Sequence, residues 1–145
     1  MIAAAARICR LGALALALGV TVTAPAAGRG SAAGVFTEAQ AQDGARIYAV
    51  RCAVCHGATL AGTLETPGLR GRFVANWAGR PLADLFDYVT RAMPQMAPGT
   101  LSADDNARIV AFLLAENGAP AGRRPLPADA AALARIRFDP TLSER

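Results

Sequence analysis

The chain contains no lysine: all 15 of its basic residues are arginine. That removes any argument from lysine chemistry. Histidine occurs once, as His56, and cysteine three times, as Cys9, Cys52 and Cys55. Aromatic residues make up 6% of a chain that is 53% apolar, and much of the apolar share is alanine. A core of small side chains with few rings is thin, and it leaves room for something else to fill it. No stretch alternates in the manner of a strand, and no internal repeat is visible. No basic stripe is interleaved with aromatics, which excludes a nucleic-acid-binding surface. Beyond the N-terminal region, no apolar run reaches the ~20 residues of a membrane span. A length of 145 residues predicts one domain.

The first apolar run that is present has a different use. Arg7 and Arg10 precede "LGALALALGV" at residues 11–20, and small residues follow. A basic start, a short apolar stretch and small residues at a cut describe a secretory signal peptide. We expect a signal over residues 1–26, with cleavage after Ala26 or as late as Ala33. If uncleaved, the same segment would anchor the protein to a membrane. Cleavage removes Cys9 and leaves Cys52 and Cys55. Residues 27–118 hold 8 arginines and 8 acids, so the positive excess lies in the C-terminal tail.

Three helices are predicted. Thr37 and Gln40 have the form of a capping box, opening a helix over 38–50. Gly44 lowers the stability of that helix, which suggests close approach of another. Residues 57–76 carry Gly57, Gly62, Pro67, Gly68 and Gly71, too much punctuation for a regular element, and are expected to be loop. After Pro81, the residues Leu82, Leu85, Phe86, Val89 and Met93 form one apolar stripe at helical period. Pro94 ends that helix, because it disfavours helical backbone in the residue before it. Ser102 caps a third helix, whose first turn carries Asp104 and Asp105 and which stops at Gly118. The Pro-rich extension 119–145 contains a short helical stretch near 129–136.

"RCAVCHG" at residues 51–57 concentrates Cys52, Cys55 and the lone histidine in five positions. A thioredoxin-like site needs a βαβ context, and no strands are expected. A structural zinc site needs four ligands, and the mature chain offers three, with no second pair. Covalent haem attachment uses all three residues. The two thiols add to the two vinyl groups, and the histidine reaches the iron. We therefore expect one haem c, held by Cys52 and Cys55 with His56 on the metal. A porphyrin would also fill the thin core. With one histidine, bis-histidine ligation within the chain is impossible. The sixth ligand is then expected from Met93 or Met96. Met93 is favoured because it closes the inward stripe immediately before Pro94 turns the chain into a loop.

These pieces, in order, resemble a class I cytochrome c: "DGARIYAVRCAVCHGATLAG", "WAGRPLADLFDYV", "MPQMAPGTLSADD" and "IVAFLLAENG". The resemblance is closest to bacterial periplasmic cytochromes associated with quinoprotein dehydrogenases, and "PLPADAAALARI" is similar to their C-terminal extension. It covers roughly residues 37–136. It implies an all-α fold of three main helices around a covalent haem, with a haem domain at 37–118. It implies that the first and third helices cross where Gly44 and Tyr48 meet Phe112. It also implies that Met93 is the axial methionine and that the Pro67 carbonyl holds the other ring nitrogen of His56. Trp77 either reaches a haem propionate or packs in the core. Relatives often carry tyrosine where this chain has Asn106.

The function expected is that of a non-enzymatic, monomeric, periplasmic mono-haem cytochrome. It would pass single electrons from a dehydrogenase, such as a quinoprotein dehydrogenase, to a terminal oxidase or other respiratory acceptor. One rival is a cytochrome subunit held tightly in one oxidoreductase complex, with the Pro-rich tail as the docking element. The other is a five-coordinate haem sensor or peroxide-reactive protein, which requires that neither methionine binds iron. Arg123, Arg124, Arg135 and Arg137 either grip an acidic partner or form a solvated surface.

Overall fold

The computed structural model describes residues 29–139; the expected signal segment 1–26, with Cys9, and the C-terminal residues 140–145 lie outside them. In chain order the elements are strand β1 (Arg29–Gly30), a 3-10 turn (Ser31–Ala33), α1 (Glu38–Arg51), α2 (Ala53–His56), α3 (Arg72–Trp77), α4 (Leu82–Ala92), α5 (Ala103–Glu116), α6 (Ala130–Leu133) and strand β2 (Ile136–Arg137). The protein is mostly helical, and α1, α4 and α5 are the three long elements anticipated from periodicity.

Helix α1 begins where the Thr37 hydroxyl accepts the Gln40 amide. It runs against α5 along its length. Gly44 is what permits the approach: a Cβ there would lie 1.9 Å from the Arg108 carbonyl oxygen on α5. Tyr48, one turn further along, meets Phe112 with ring centroids 5.0 Å apart. Helix α5 supplies the densest part of the core, with Ile109, Val110, Ala111, Phe112, Leu113 and Leu114 all buried. Helix α4 turns Leu82, Leu85, Phe86 and Val89 toward it, the stripe expected from the sequence.

Helix α3, the 3-10 turn and the two short strands were not expected. Helix α3 lies inside the span read as loop. It is six residues long, too short for an apolar period to stand out, and Gly71 adopts φ +55° just before it. The parallel pairing of β1 with β2 rests on two residues from each end of the described chain. That pairing is made by backbone, so no side-chain alternation announces it.

The C-terminal extension is part of the core rather than an appendage. Ala119, Leu126, Leu133 and Phe138 are all buried. Gln40 on α1 binds the Leu126 backbone twice, donating from Nε2 to the carbonyl at 2.9 Å and accepting the amide through Oε1 at 2.7 Å. Phe138 donates its amide to the Arg80 carbonyl and accepts the Gly79 amide, each at 2.8 Å. The buried Ser31 hydroxyl both donates to the Asp139 carbonyl and accepts the Asp139 amide, each at 2.8 Å. The two ends of the described chain are thereby stitched together behind α3 and α4. Among the described residues, no helix is long and apolar enough to cross a membrane.

Candidate functional site

Helix α1 stops at Cys52, whose amide still bonds to the Tyr48 carbonyl but whose φ and ψ leave the helical region. One further turn, α2, follows. Its amides at Cys55 and His56 both reach back to the Cys52 carbonyl, at 3.1 and 2.9 Å. Gly57 ends this turn at φ +77°. The Tyr48 hydroxyl donates to the Gly57 carbonyl at 2.7 Å. The short turn between the cysteines is therefore held from the side of α1.

The loop after it doubles back on His56. Gly62 donates to the His56 carbonyl at 2.9 Å and Leu69 to the Leu60 carbonyl at 2.8 Å. This brings the Pro67 carbonyl to 2.8 Å from His56 Nδ1. A carbonyl has no proton to give, so Nδ1 carries the hydrogen, and in the neutral ring the lone pair lies on Nε2. That is the tautomer a metal-binding imidazole needs. Arg70 secures the loop from the far side. It donates from Nε to the Thr59 carbonyl at 3.2 Å and pairs with the carboxylate of Glu116 at the end of α5.

Cys52 and Cys55 are not joined to each other by a disulfide; Cys52 is half-buried and Cys55 exposed. Burial pushes the Cys52 thiol up to about 11, with neighbouring Arg51 opposing the shift and Cys55 adding to it. Without a vinyl group or metal to react with, this thiol stays protonated at neutral pH. Among the described residues, no group of three or more His, Cys, Asp or Glu side chains could hold a metal ion by itself.

The motif opens onto a cleft of about 1280 Å³. Cys52, Cys55, His56 and Pro67 line one side, and Met93 lines it from the end of α4. Ile109 and Leu113 of α5 also belong to the lining, as do Phe73 and Trp77 of α3. Leu69, Phe73, Trp77 and Met93 pack against the core yet are only partly buried. The volume is somewhat above the ~300–1,000 Å³ of ordinary ligand pockets. A cleft of that size, with apolar and charged side chains in its lining and two thiols and an imidazole at its wall, fits a porphyrin attached through thioethers.

The two methionines stand in different places. Met93 caps α4 in an extended conformation, φ −125° and ψ 148°, with its amide still on the Val89 carbonyl. Met96, three residues on, is 92% exposed and is not among the cleft residues. Trp77 contributes both to the cleft and to the ring packing beside it. It lines the cleft, and it also packs on Phe73 and Tyr88 at 6.4 and 5.8 Å between centroids, with the Arg80 guanidinium 4.6 Å above its ring. Arg70, Arg72 and Arg80 reach the cleft as well. Sequence reasoning passed over them, because arginines scattered through a loop carry no spacing signal.

Comparison with known proteins agrees with this chemistry. No curated protein matches the chain. Among solved structures, the sulfane dehydrogenase SoxCD from Paracoccus pantotrophus has a chain 29% identical to this one, with a TM-score of 0.45. The match covers 76% of this chain and 59% of that one, so this chain spans about three fifths of the length of its relative. The family model described as cytochrome c oxidase, cbb3-type, subunit III matches residues 39–113. The match runs from the first turns of α1 to Leu113, and so takes in the CxxCH turn, the loop behind it, Met93 and most of α5. The chain therefore belongs to this cytochrome c family, as an all-α class I mono-haem protein that carries covalent haem c and transfers electrons.

Proposed function

We propose that the protein is an exported, periplasmic one-electron carrier with six-coordinate iron, in which Cys52 and Cys55 hold the haem and His56 and Met93 bind the metal. The observation that carries this reading is the bond from His56 Nδ1 to the Pro67 carbonyl. In the neutral ring it leaves the lone pair on Nε2, in a cleft that Met93 also lines. Bound haem c supplies a one-electron iron couple, and a histidine–methionine pair favours a raised potential.

The chain's own residues do the rest. The Pro67 carbonyl orients the imidazole and raises its basicity. Leu69, Phe73, Ile109 and Leu113 exclude water from the cleft walls. Trp77 is positioned to meet a propionate at the cleft edge. The exposed position of Met96 supports Met93 as the sulfur ligand. A dehydrogenase as donor and a respiratory oxidase as acceptor would each touch the open cleft edge weakly. Redox encounters of that kind bury less than ~1,200 Å². The body has balanced charge over 27–118, so long-range steering is weak. The extension spends Leu126, Leu133 and Phe138 on its own core, which favours a free carrier over a subunit docked through its tail.

Carbon monoxide tests the ligand set. The haem-loaded, reduced protein is titrated with the gas and followed in the visible spectrum, beside Met93→Ala and Met96→Ala. We expect wild type and Met96→Ala to resist the gas and Met93→Ala to bind it. Ready binding by wild type would mean an open sixth position, and the carrier reading would give way to ligand sensing or peroxide chemistry.

A further inference from the structure

Asn106 is fully buried, on the first turns of α5. Its Nδ2 donates to Thr90 Oγ1 at 3.1 Å, and Thr90 in turn donates to the Phe86 carbonyl at 2.8 Å. Its Oδ1 is buried with no hydrogen-bond partner among the described residues. An unpaired buried carbonyl costs free energy that an apolar side chain of similar shape would not. The amide is therefore an expensive choice if its task were only to fill space.

Its place in the fold suggests another task. Thr90 lies on the last turn of α4, three residues before Met93. Asn106 follows closely on Ser102, which caps α5 by accepting the Asp105 amide at 3.1 Å. Between these two turns runs the loop that begins with Met93. Higher up, the loop is held by its own turn, Ala97 amide to Pro94 carbonyl at 2.8 Å. It is also held by Arg51, which donates to Thr100 Oγ1 at 2.9 Å. The Asn106–Thr90 bond is thus the side-chain bond that joins the two feet of the loop. A hydrogen bond is directional where apolar packing is not, so it fixes the last turn of α4 in one rotation about its axis.

We propose that Asn106 is a positioning residue for Met93: by pinning Thr90 it sets how firmly the thioether holds the sixth position against competing ligands. This rests on Met93 being the iron ligand. The amide's orphan carbonyl is then a stability cost accepted for the sake of that placement.

The test is an imidazole titration of the ferric, haem-loaded protein, with a thermal melt of each variant. Asn106→Leu removes both the bond and the orphan carbonyl. We expect it to bind imidazole about tenfold more tightly than wild type, the order expected from losing one hydrogen bond, while melting no lower. Thr90→Val should also bind imidazole more tightly, and Thr90→Ser, which keeps the hydroxyl, should return to wild-type affinity. Phe138→Ala is the control, since it loosens the far side of the core. If Phe138→Ala gains imidazole affinity as much as Asn106→Leu does, the effect is general instability and the proposal falls. Wild-type affinity in both Asn106→Leu and Thr90→Val overturns the clamp while leaving the Met93 reading intact. If wild type already binds imidazole as Met93→Ala does, Met93 is not the ligand and both readings fail together.

Discussion

Helix α5 is finished differently on its two sides. Toward α1 it meets backbone: the Arg108 carbonyl sits where a Gly44 Cβ would have to go, and no further atom can be added between the helices. Toward the cleft the same helix presents Ile109 and Leu113 beside Phe73, Trp77 and Met93, which are only partly covered. The back of the molecule is a closed contact between the chain and itself. The front is half a contact, shaped by the chain and completed by the haem it binds. This explains how a chain with 6% aromatics sustains a core. The fold needs rings at the Tyr48–Phe112 crossing and around Trp77, and a large flat cofactor occupies the rest of the space where other proteins place side chains.

The contrast can be broken most severely at the back. Gly44→Ala puts a methyl group against a carbonyl that belongs to a helix, and no rotamer change relieves it. Overpacking costs typically 1–3 kcal/mol, and here the obstacle is helix backbone, which cannot swing aside. We expect a loss of at least about 3 kcal/mol in denaturant unfolding, or failure to accumulate folded protein. Phe138→Ala comes next. It empties a site that is 1% exposed and undoes an edge-on contact with Phe73 at 6.0 Å. The expected cost is about 3 kcal/mol, with the visible spectrum unchanged because no cleft ligand moves. A shifted spectrum would show that front and back are coupled through α3.

How far this division was legible from residues alone follows from the kind of signal each part leaves. The CxxCH turn, the α4 stripe and the stop at Pro94 are local patterns, and each put its element within a residue or two of its place. The Gly44 crossing rested on family resemblance and on one glycine inside a helix. Helix α3 was lost among the glycines, because six residues cannot display a helical period. The β1–β2 pairing and the Ser31–Asp139 stitch join positions 107 and 108 apart in sequence, and neither has a local mark. The burial of Asn106 was equally invisible: an asparagine beside two aspartates reads as a solvated helix start. The tail read as a Pro-rich extension with one short helical stretch, yet its spaced apolar residues Leu126, Leu133 and Phe138 are buried anchors. They lie too far apart to form a stripe.

Tyr48 belongs to both regions and sharpens the line between them. Its ring packs on Phe112 at the back, and its hydroxyl donates to Gly57 at the front. Burial, assisted by the nearby Cys52 and opposed by Arg70, pushes the phenol up from 10.0 to about 12. The folded state therefore keeps this proton where the unfolded chain has lost it. The stabilisation is complete below pH 10 and disappears as the pH rises toward 12. The chain has no lysine to titrate in this window. We expect wild type to lose about 2 kcal/mol of unfolding free energy across that window. Tyr48→Phe should be roughly 1 kcal/mol less stable at neutral pH, from the lost hydrogen bond, and its stability should be flatter from pH 10 to 12. Denaturant melts of both proteins at pH 7, 10 and 11.5 measure this. If the two lose stability in parallel, the alkaline sensitivity lies elsewhere, and the hydroxyl of Tyr48 serves only to steady the turn that ends at His56.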